Sequence, residues 1–290
     1  MVNDTVKLAL IQMAMGDDRE ANVEKAFAMA RQARESGAEL IVFPELFSGV
    51  YFCKYPAAER FNAWAEPIPE GPLSRRLAAL AAELEAVIVG SIFEYVQDGF
   101  YFNTAVVFER DGSFLGRSRK MHIPETSPGW HEKYYFTPGD TDYPVFRTSL
   151  IDLAAPTCWD QWYPEVARLA YLKGAQLIVY PTCIGDEPGH PEIDSSEPWQ
   201  IVMRGHAVAN CLYVAACNRV GFEDFQGYYG RSFVADPDGT KIVEAPRGEE
   251  QVLLAELSRE KLRASRNLAQ YFRDRRPETY GGLLKRSLID

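Results

Sequence analysis

The chain has 290 residues, 47% of them apolar and 25% charged, and a formal net charge of -10. That length supports one large α/β domain or two smaller ones, either with a substantial core. The negative balance argues against nucleic acid and anionic membranes as partners, and is compatible with a cationic ligand.

Five cysteines (Cys53, Cys158, Cys183, Cys211, Cys217) are odd in number and form no CxxC pair. Free thiols in a reducing compartment are expected, rather than a disulfide framework or a zinc ribbon. The start Met1-Val2-Asn3-Asp4-Thr5 is too polar for a signal peptide, and no apolar run approaches a membrane span. A cytoplasmic location is expected.

Val6 to Met13 reads as a buried strand, and Asn22 as the N-cap of a helix running to about Ser36 and closed by Gly37. Ala38 to Leu46 is a core strand whose end Pro44 marks. A helix from about Ser74 to Glu85 precedes strands Val87 to Phe93 and Asn103 to Glu109. Arg110-Asp111-Gly112 is a hairpin turn, and Phe114 to Met121 the returning strand. A polar, aromatic-rich loop covers Ile123 to Asp142. Leu150 to Thr157 is then a strand and Pro164 to Lys173 a helix, with proline pre-set for the first helical position. A helix near Trp199 to Asn210, strand Leu212 to Cys217, a hairpin turning at Asp236-Pro237-Asp238-Gly239 and strand Val252 to Leu257 follow. Beyond Ser258 lie a short charged helix and a basic tail, Arg273 to Glu278.

Within this order Gly37-Ala38-Glu39-Leu40-Ile41-Val42-Phe43-Pro44 returns as Gly174-Ala175-Gln176-Leu177-Ile178-Val179-Tyr180-Pro181. A repeated helix–Gly–strand–Pro unit implies two similar halves with sheets packed face to face about a pseudo-twofold axis. One domain spanning 1–290 is expected, as no linker or low-complexity segment interrupts it.

Open α/β sheets bind ligands beyond the carboxyl ends of their strands. The first octet delivers Glu45 there, and the post-hairpin strand delivers Lys120. Cys158 stands on a strand-to-helix turn, where a helix dipole favours a thiolate. Singly, each has an ordinary reading: a solvated acid, a surface lysine, a buried structural thiol. Together they form a base, a cation and a nucleophile, a set suited to acyl or amidine-type transfer.

Three stretches carry a family likeness. Phe43-Pro44-Glu45-Leu46-Phe47, Arg119-Lys120-Met121-His122-Ile123-Pro124 and Cys158-Trp159-Asp160-Gln161-Trp162-Tyr163-Pro164-Glu165 resemble, in order, three signatures of the nitrilase (carbon–nitrogen hydrolase) superfamily. Tyr180-Pro181-Thr182, Gly205-His206-Ala207, Asn218-Arg219 and Phe272 to Pro277 resemble its branch acting on N-carbamoyl amines. The resemblance implies an αββα sandwich and a Glu45–Lys120–Cys158 triad. Glu132, in Glu132-Lys133-Tyr134, matches a second glutamate common in the family. It also implies a thiol amidohydrolase with no metal or organic cofactor, working as a homo-oligomer, with the tail from about 258 to 290 packing on a partner subunit. The alternatives are another activity of the superfamily (N-carbamoyl-β-alanine amidohydrolase, ω-amidase or nitrilase) or a catalytically silent assembly or binding subunit.

Relative to the family, Ala154-Ala155-Pro156-Thr157 stands where Gly and branched residues precede the cysteine, so a kinked strand is expected there. Members taking carbamoyl amino acids present arginines just after the cysteine. Gln161 and Trp162 stand there instead, which disfavours an anionic substrate tail. Asp186 and Glu187 are candidates to receive an ammonium group, and Trp130 and Trp159 to face the substrate's methylenes. His122, His131, His190 and His206 show no metal-ligand spacing.

Overall fold

A computed structural model describes residues 4–289. Met1, Val2 and Asn3 of the polar amino terminus and Asp290 at the end of the tail lie outside the described residues. The first half runs β1 (Thr5–Gln12), α1 (Arg19–Glu35), β2 (Leu40–Val42), α2 (Pro72–Leu84), β3 (Val87–Gln97), β4 (Phe100–Phe108) and β5 (Phe114–Arg119). A connecting stretch holds β6 (Glu125–Thr126), β7 (Trp130–His131), α3 (Glu132–Tyr135) and β8 (Val145–Arg147). The second half runs β9 (Asp152–Ala154), α4 (Pro164–Leu172), β10 (Leu177–Thr182), α5 (Ser196–Asn210) and β11 (Tyr213–Asn218). It continues with β12 (Val220–Glu223), β13 (Gln226–Tyr229), β14 (Phe233–Ala235) and β15 (Lys241–Glu244). The chain finishes with β16 (Gln251–Ser258) and α6 (Arg259–Ala269).

Among the described residues two six-stranded sheets form, ordered β16-β1-β2-β3-β4-β5 and β15-β14-β11-β10-β9-β8. The five strands β1 to β5 correspond one for one to β9, β10, β11, β14 and β15. Each sheet is then extended by a sixth strand antiparallel to its first: β16 against β1, and β8 against β9. The implied duplication is therefore present in the topology. β16 was expected only as a last core strand; it returns from the second half to complete the first sheet.

Alternate residues of each strand serve different cores, as the two-residue period requires. Val6, Leu8 and Leu10 face Leu153, Leu177, Val179 and Ala215 across the gap between sheets. Ala9, Ile11 and Ile41 instead pack under α1 and α2 against Phe27, Ala30, Leu77 and Leu80. Ile178, Val214 and Ala216 pack under α4 and α5 against Ala167, Ala170, Met203 and Ala207. The layers run helix, sheet, sheet, helix, which is the αββα sandwich. No helix among the described residues is long and apolar enough to cross a membrane.

Local chemistry moved several boundaries. Asp18, not Asn22, caps α1: its carboxylate accepts from Glu20 N at 2.9 Å and Ala21 N at 3.1 Å. Asn22 is a turn inside the helix, tied back to Gly16 by bonds of 2.8 and 2.7 Å. α2 starts two residues before Ser74, with Pro72 in its first turn; the Glu66 carboxylate takes the free N–H groups of Leu73 and Ser74. The expected kink before Cys158 is replaced by a strand end. Pairing stops at Ala154, so Pro156 lies beyond the ladder and its missing N–H removes no sheet hydrogen bond.

The two octets begin alike and end differently. Gly37 and Gly174 close their helices at φ of 92° and 101°, the left-handed region where glycine is unstrained. Pro44 follows the end of β2, whereas Pro181 sits within β10 opposite Cys217. Over 258–269 the tail also packs on its own chain. α6 sends Leu262 into the inter-sheet core, and Arg266 donates to the Ala175 and Cys211 carbonyls of its own chain at 2.9 and 3.1 Å.

Candidate active site

Glu45 leaves the end of β2 fully buried, and its N–H donates to the Thr182 carbonyl at 3.3 Å. Thr182 is its counterpart after the second octet, so the pseudo-twofold joins the two octet ends. Lys120 follows β5. Its ammonium donates to Glu45 Oε1 at 2.9 Å and to both oxygens of Glu132 at 2.8 and 2.7 Å. Glu132, at the start of α3, also accepts from the Tyr51 hydroxyl at 2.7 Å. Asn103 Nδ2 donates to Glu45 Oε1 at 2.6 Å. Glu45 Oε2 is left buried without a hydrogen-bond partner among the described residues. One oxygen of this acid is thus fixed, and the other is open to take a proton.

Cys158 opens a short 3-10 turn, Cys158–Trp162, with Thr157 extended before it and Cys158 itself at φ 42°. A left-handed cysteine is strained, by an order of 1–3 kcal/mol, and persists only where its surroundings over-determine it. The sulfur is buried and donates to the Cys183 carbonyl at 3.5 Å. The expected thiolate is not what this environment favours at rest. Burial pushes the thiol well above its ordinary range; the charge of Glu45 adds to that, and Lys120 opposes it. α4 begins only at Pro164, six residues on, so Cys158 lies outside the first turn in which the helix dipole acts.

The same balance acts on the other charges. Burial disfavours the Lys120 ammonium, but the carboxylates of Glu132 and Glu45 and the Cys158 sulfur overrule it and hold the amine well above its usual range. Burial pushes Glu132 up to about 7 against the pull of Lys120, and the like charge of Glu45 pushes the same way.

A cavity of about 300 Å³ opens beside this cluster, with Cys158, Glu132, Trp159, Trp130, Trp162 and Glu187 on its wall. Trp130 Nε1 donates to Glu187 Oε2 at 3.0 Å, fixing that carboxylate at the cavity. Asp186 is not on the wall. Its carboxylate is solvent-exposed and faces Arg247 at 3.4 Å. Glu187, Trp130 and Trp159 therefore share the cavity with the cysteine, and Asp186 does not.

Asn103, Tyr51 and Cys183 were not expected at the site from sequence, and Trp162 was read only as lacking a cation. Asn103 carried a signal, a polar residue opening an apolar strand; Tyr51 carried none. Among the described residues no group of three or more His, Cys, Asp and Glu side chains is arranged to hold a metal ion. His122 is paired with Asp160, His131 with Glu125, His190 with Glu192 and His206 with the Gln161 carbonyl.

The carbon–nitrogen hydrolase family matches residues 7–267. The chain belongs to that family. It is accordingly a hydrolase of carbon–nitrogen bonds outside peptides. Over 97% of this chain and 96% of the relative, it is 41% identical to an N-carbamoylputrescine amidase of Solanum lycopersicum. It is 40% identical to a citrullinase of Francisella tularensis, over 97% of this chain and 99% of the relative. The crystal structure of a carbon–nitrogen hydrolase from Helicobacter pylori G27 superposes with a TM-score of 0.90 at 36% identity, covering 98% of this chain and 100% of that one. The cysteine, lysine and two glutamates of this carbon–nitrogen hydrolase meet beside one cavity.

Proposed function

We propose that the protein hydrolyses a small N-carbamoyl amine, N-carbamoylputrescine, to putrescine, carbon dioxide and ammonia. The observation that carries the substrate choice is the cavity lining. It contains Cys158 and the Trp130-anchored carboxylate of Glu187, and among the described residues no arginine or lysine. A carbamoyl group with an alkyl-ammonium tail finds a nucleophile, apolar indole walls and a counter-charge there. Citrulline adds a carboxylate to that tail, and nothing on the wall neutralises it.

In this reading Glu45 Oε2 takes the thiol proton as the Cys158 sulfur attacks the carbamoyl carbon. The oxyanion develops against the positive charge of Lys120 and the backbone N–H of Trp159; one such donor is worth about 3–4 kcal/mol of barrier. Glu45 passes the proton to the leaving nitrogen, the amine departs, and a carbamoyl group remains on sulfur. Glu45 then deprotonates the water that attacks this thiocarbamate. The sulfur leaves, recovers the proton, and the released carbamate breaks down to carbon dioxide and ammonia. Glu132 keeps Lys120 charged and in place. Trp159 and Trp130 flank the methylenes. Asp186 has no part in it.

Initial rates on N-carbamoylputrescine, citrulline, N-carbamoyl-β-alanine and an aliphatic nitrile test the substrate, with the first expected fastest. Intact-protein mass spectrometry during turnover is expected to find one carbamoyl group, absent from Cys158→Ala. A faster rate on either carboxylate-bearing compound would overturn the choice of tail. The reading includes a homo-oligomer formed with a second copy through the tail beyond α6, where Leu283, Leu284, Leu288 and Ile289 are exposed. Sedimentation of the chain truncated after Phe272 tests that element, with a smaller assembly expected.

A further inference from the structure

Asp160 is fully buried, yet among the described residues no arginine or lysine pairs with it. Its carboxylate instead collects hydrogen-bond donors from two separate segments. Oδ2 accepts the N–H of Thr157 at 3.2 Å, the residue immediately before Cys158. Oδ1 accepts the N–H of His122 at 3.0 Å and meets His122 Nδ1 at 2.7 Å; Met121 N approaches Oδ2 at 3.4 Å. Met121 and His122 are the two residues immediately after Lys120. A capping role in the 3-10 turn would need only the Thr157 contact. The other donors come from a segment 38 residues away.

We infer that Asp160 is a positioning residue, whose carboxylate clamps the backbone after Lys120 to the backbone before Cys158 and so sets the gap between the two oxyanion donors. Those donors, the Lys120 ammonium and the Trp159 N–H, come from different sheets. Nothing in the secondary structure alone fixes their separation. Trp159 is the neighbour of Asp160, so the clamp acts within one residue of each donor-bearing position. A buried carboxylate is stable here because N–H donors replace its lost water. The strained φ of Cys158 supplies the opposing tendency, a turn that relaxes unless it is held. The His122 ring lies flat on Tyr163 at 3.6 Å, which steers its Nδ1 to Asp160.

This inference rests on Cys158 and Lys120 acting as proposed above, and its test separates the two. Asp160→Asn keeps the shape but offers one accepting oxygen, so it releases one of the two segments. With N-carbamoylputrescine, kcat is expected to fall about a hundredfold, the scale of a ~1 Å misplacement, with KM within about twofold of wild type. Alkylation of Cys158 by iodoacetamide displaces iodide and develops no oxyanion, so its rate is expected to stay within about threefold of wild type. Near-wild-type kcat, or alkylation falling in step with kcat, would overturn the inference.

Should Asp160→Asn not fold, His122→Phe keeps a ring on Tyr163 and removes the Nδ1 contacts to Asp160 and to the Tyr143 hydroxyl. Its kcat is expected to drop roughly fivefold at unchanged KM and alkylation rate, and unchanged kcat overturns the inference. An active Cys158→Ala would remove the functional reading and this inference with it. An inactive Cys158→Ala beside a fully active Asp160→Asn would remove this inference alone.

Discussion

The two halves share their strand and helix order, yet differ where each delivers its chain to the centre. After the first octet stands Glu45, buried and tied to Lys120; after the second stands Thr182, whose carbonyl accepts the Glu45 N–H. After β1 the chain simply continues toward α1, whereas after β9 it turns sharply at Cys158. The first half supplies the acid and the amine, and the second the sulfur and much of the cavity wall. The halves thus share the frame, and the reactive side chains stand where their equivalent positions carry different residues.

The comparison breaks most completely at the sulfur. Cys158→Ala is expected to abolish measurable turnover, a loss of roughly 10⁴-fold or more, while thermal unfolding stays close to wild type. Retained activity in that variant would mean the unshared turn is not the source of chemistry. Glu45→Gln, which keeps the hydrogen bonds to Lys120 and Asn103 but cannot take the thiol proton, is expected to lower kcat by about 10²–10⁴. The same substitution should slow alkylation of Cys158, since burial holds its thiol protonated near neutrality.

The pH profile sharpens the account of the first half. With Glu132 raised to about 7, it is ionised above that pH and gains a proton below it. Protonation loosens the ion pair with Lys120, so kcat/KM is expected to fall as pH drops through about 7. In Glu132→Gln this acid limb is expected to be lost, and an unmoved limb would count against Glu132 as its origin.

At the cavity, Glu187→Gln is expected to raise KM for N-carbamoylputrescine about tenfold with kcat little changed, the sign of lost uniform binding. The smallest effects test the symmetry itself. Gly37→Ala and Gly174→Ala both force a side chain into the left-handed region, against the flexible ends of Lys7 and Arg147. Each should cost about 1–2 kcal/mol in urea unfolding, by similar amounts. A large asymmetry would mean the shared frame is not equally used.

Much of this was legible in the chain because its signals are local. Apolar runs bounded by glycine and proline marked strands, and Pro164 marked the start of α4. The octet repeat exposed the duplication. What escaped depended on partners distant in sequence: the capping of α2 by Glu66, the return of β16 to β1, and the bonds of Asn103 and Tyr51 to the carboxylates. Asp186 and Glu187 are adjacent, and only the loop's path decides which one reaches the cavity. The ionisation of Cys158 escaped for the same reason, since burial and neighbouring charge come from the assembled site.

Residue identity, periodicity and the octet repeat determined the two halves and the trio of acid, amine and sulfur, and the family likeness implied the four layers. These rest on covalent order and on the 2.0 and 3.6 residue periods, which act over a few neighbours. Tertiary structure decided which oxygen of Glu45 stays open, which proton state Cys158 favours, and which acid faces the cavity. Desolvation and hydrogen bonding act at contact distance in space, and folding alone brings residues 45, 120, 132 and 158 to one place.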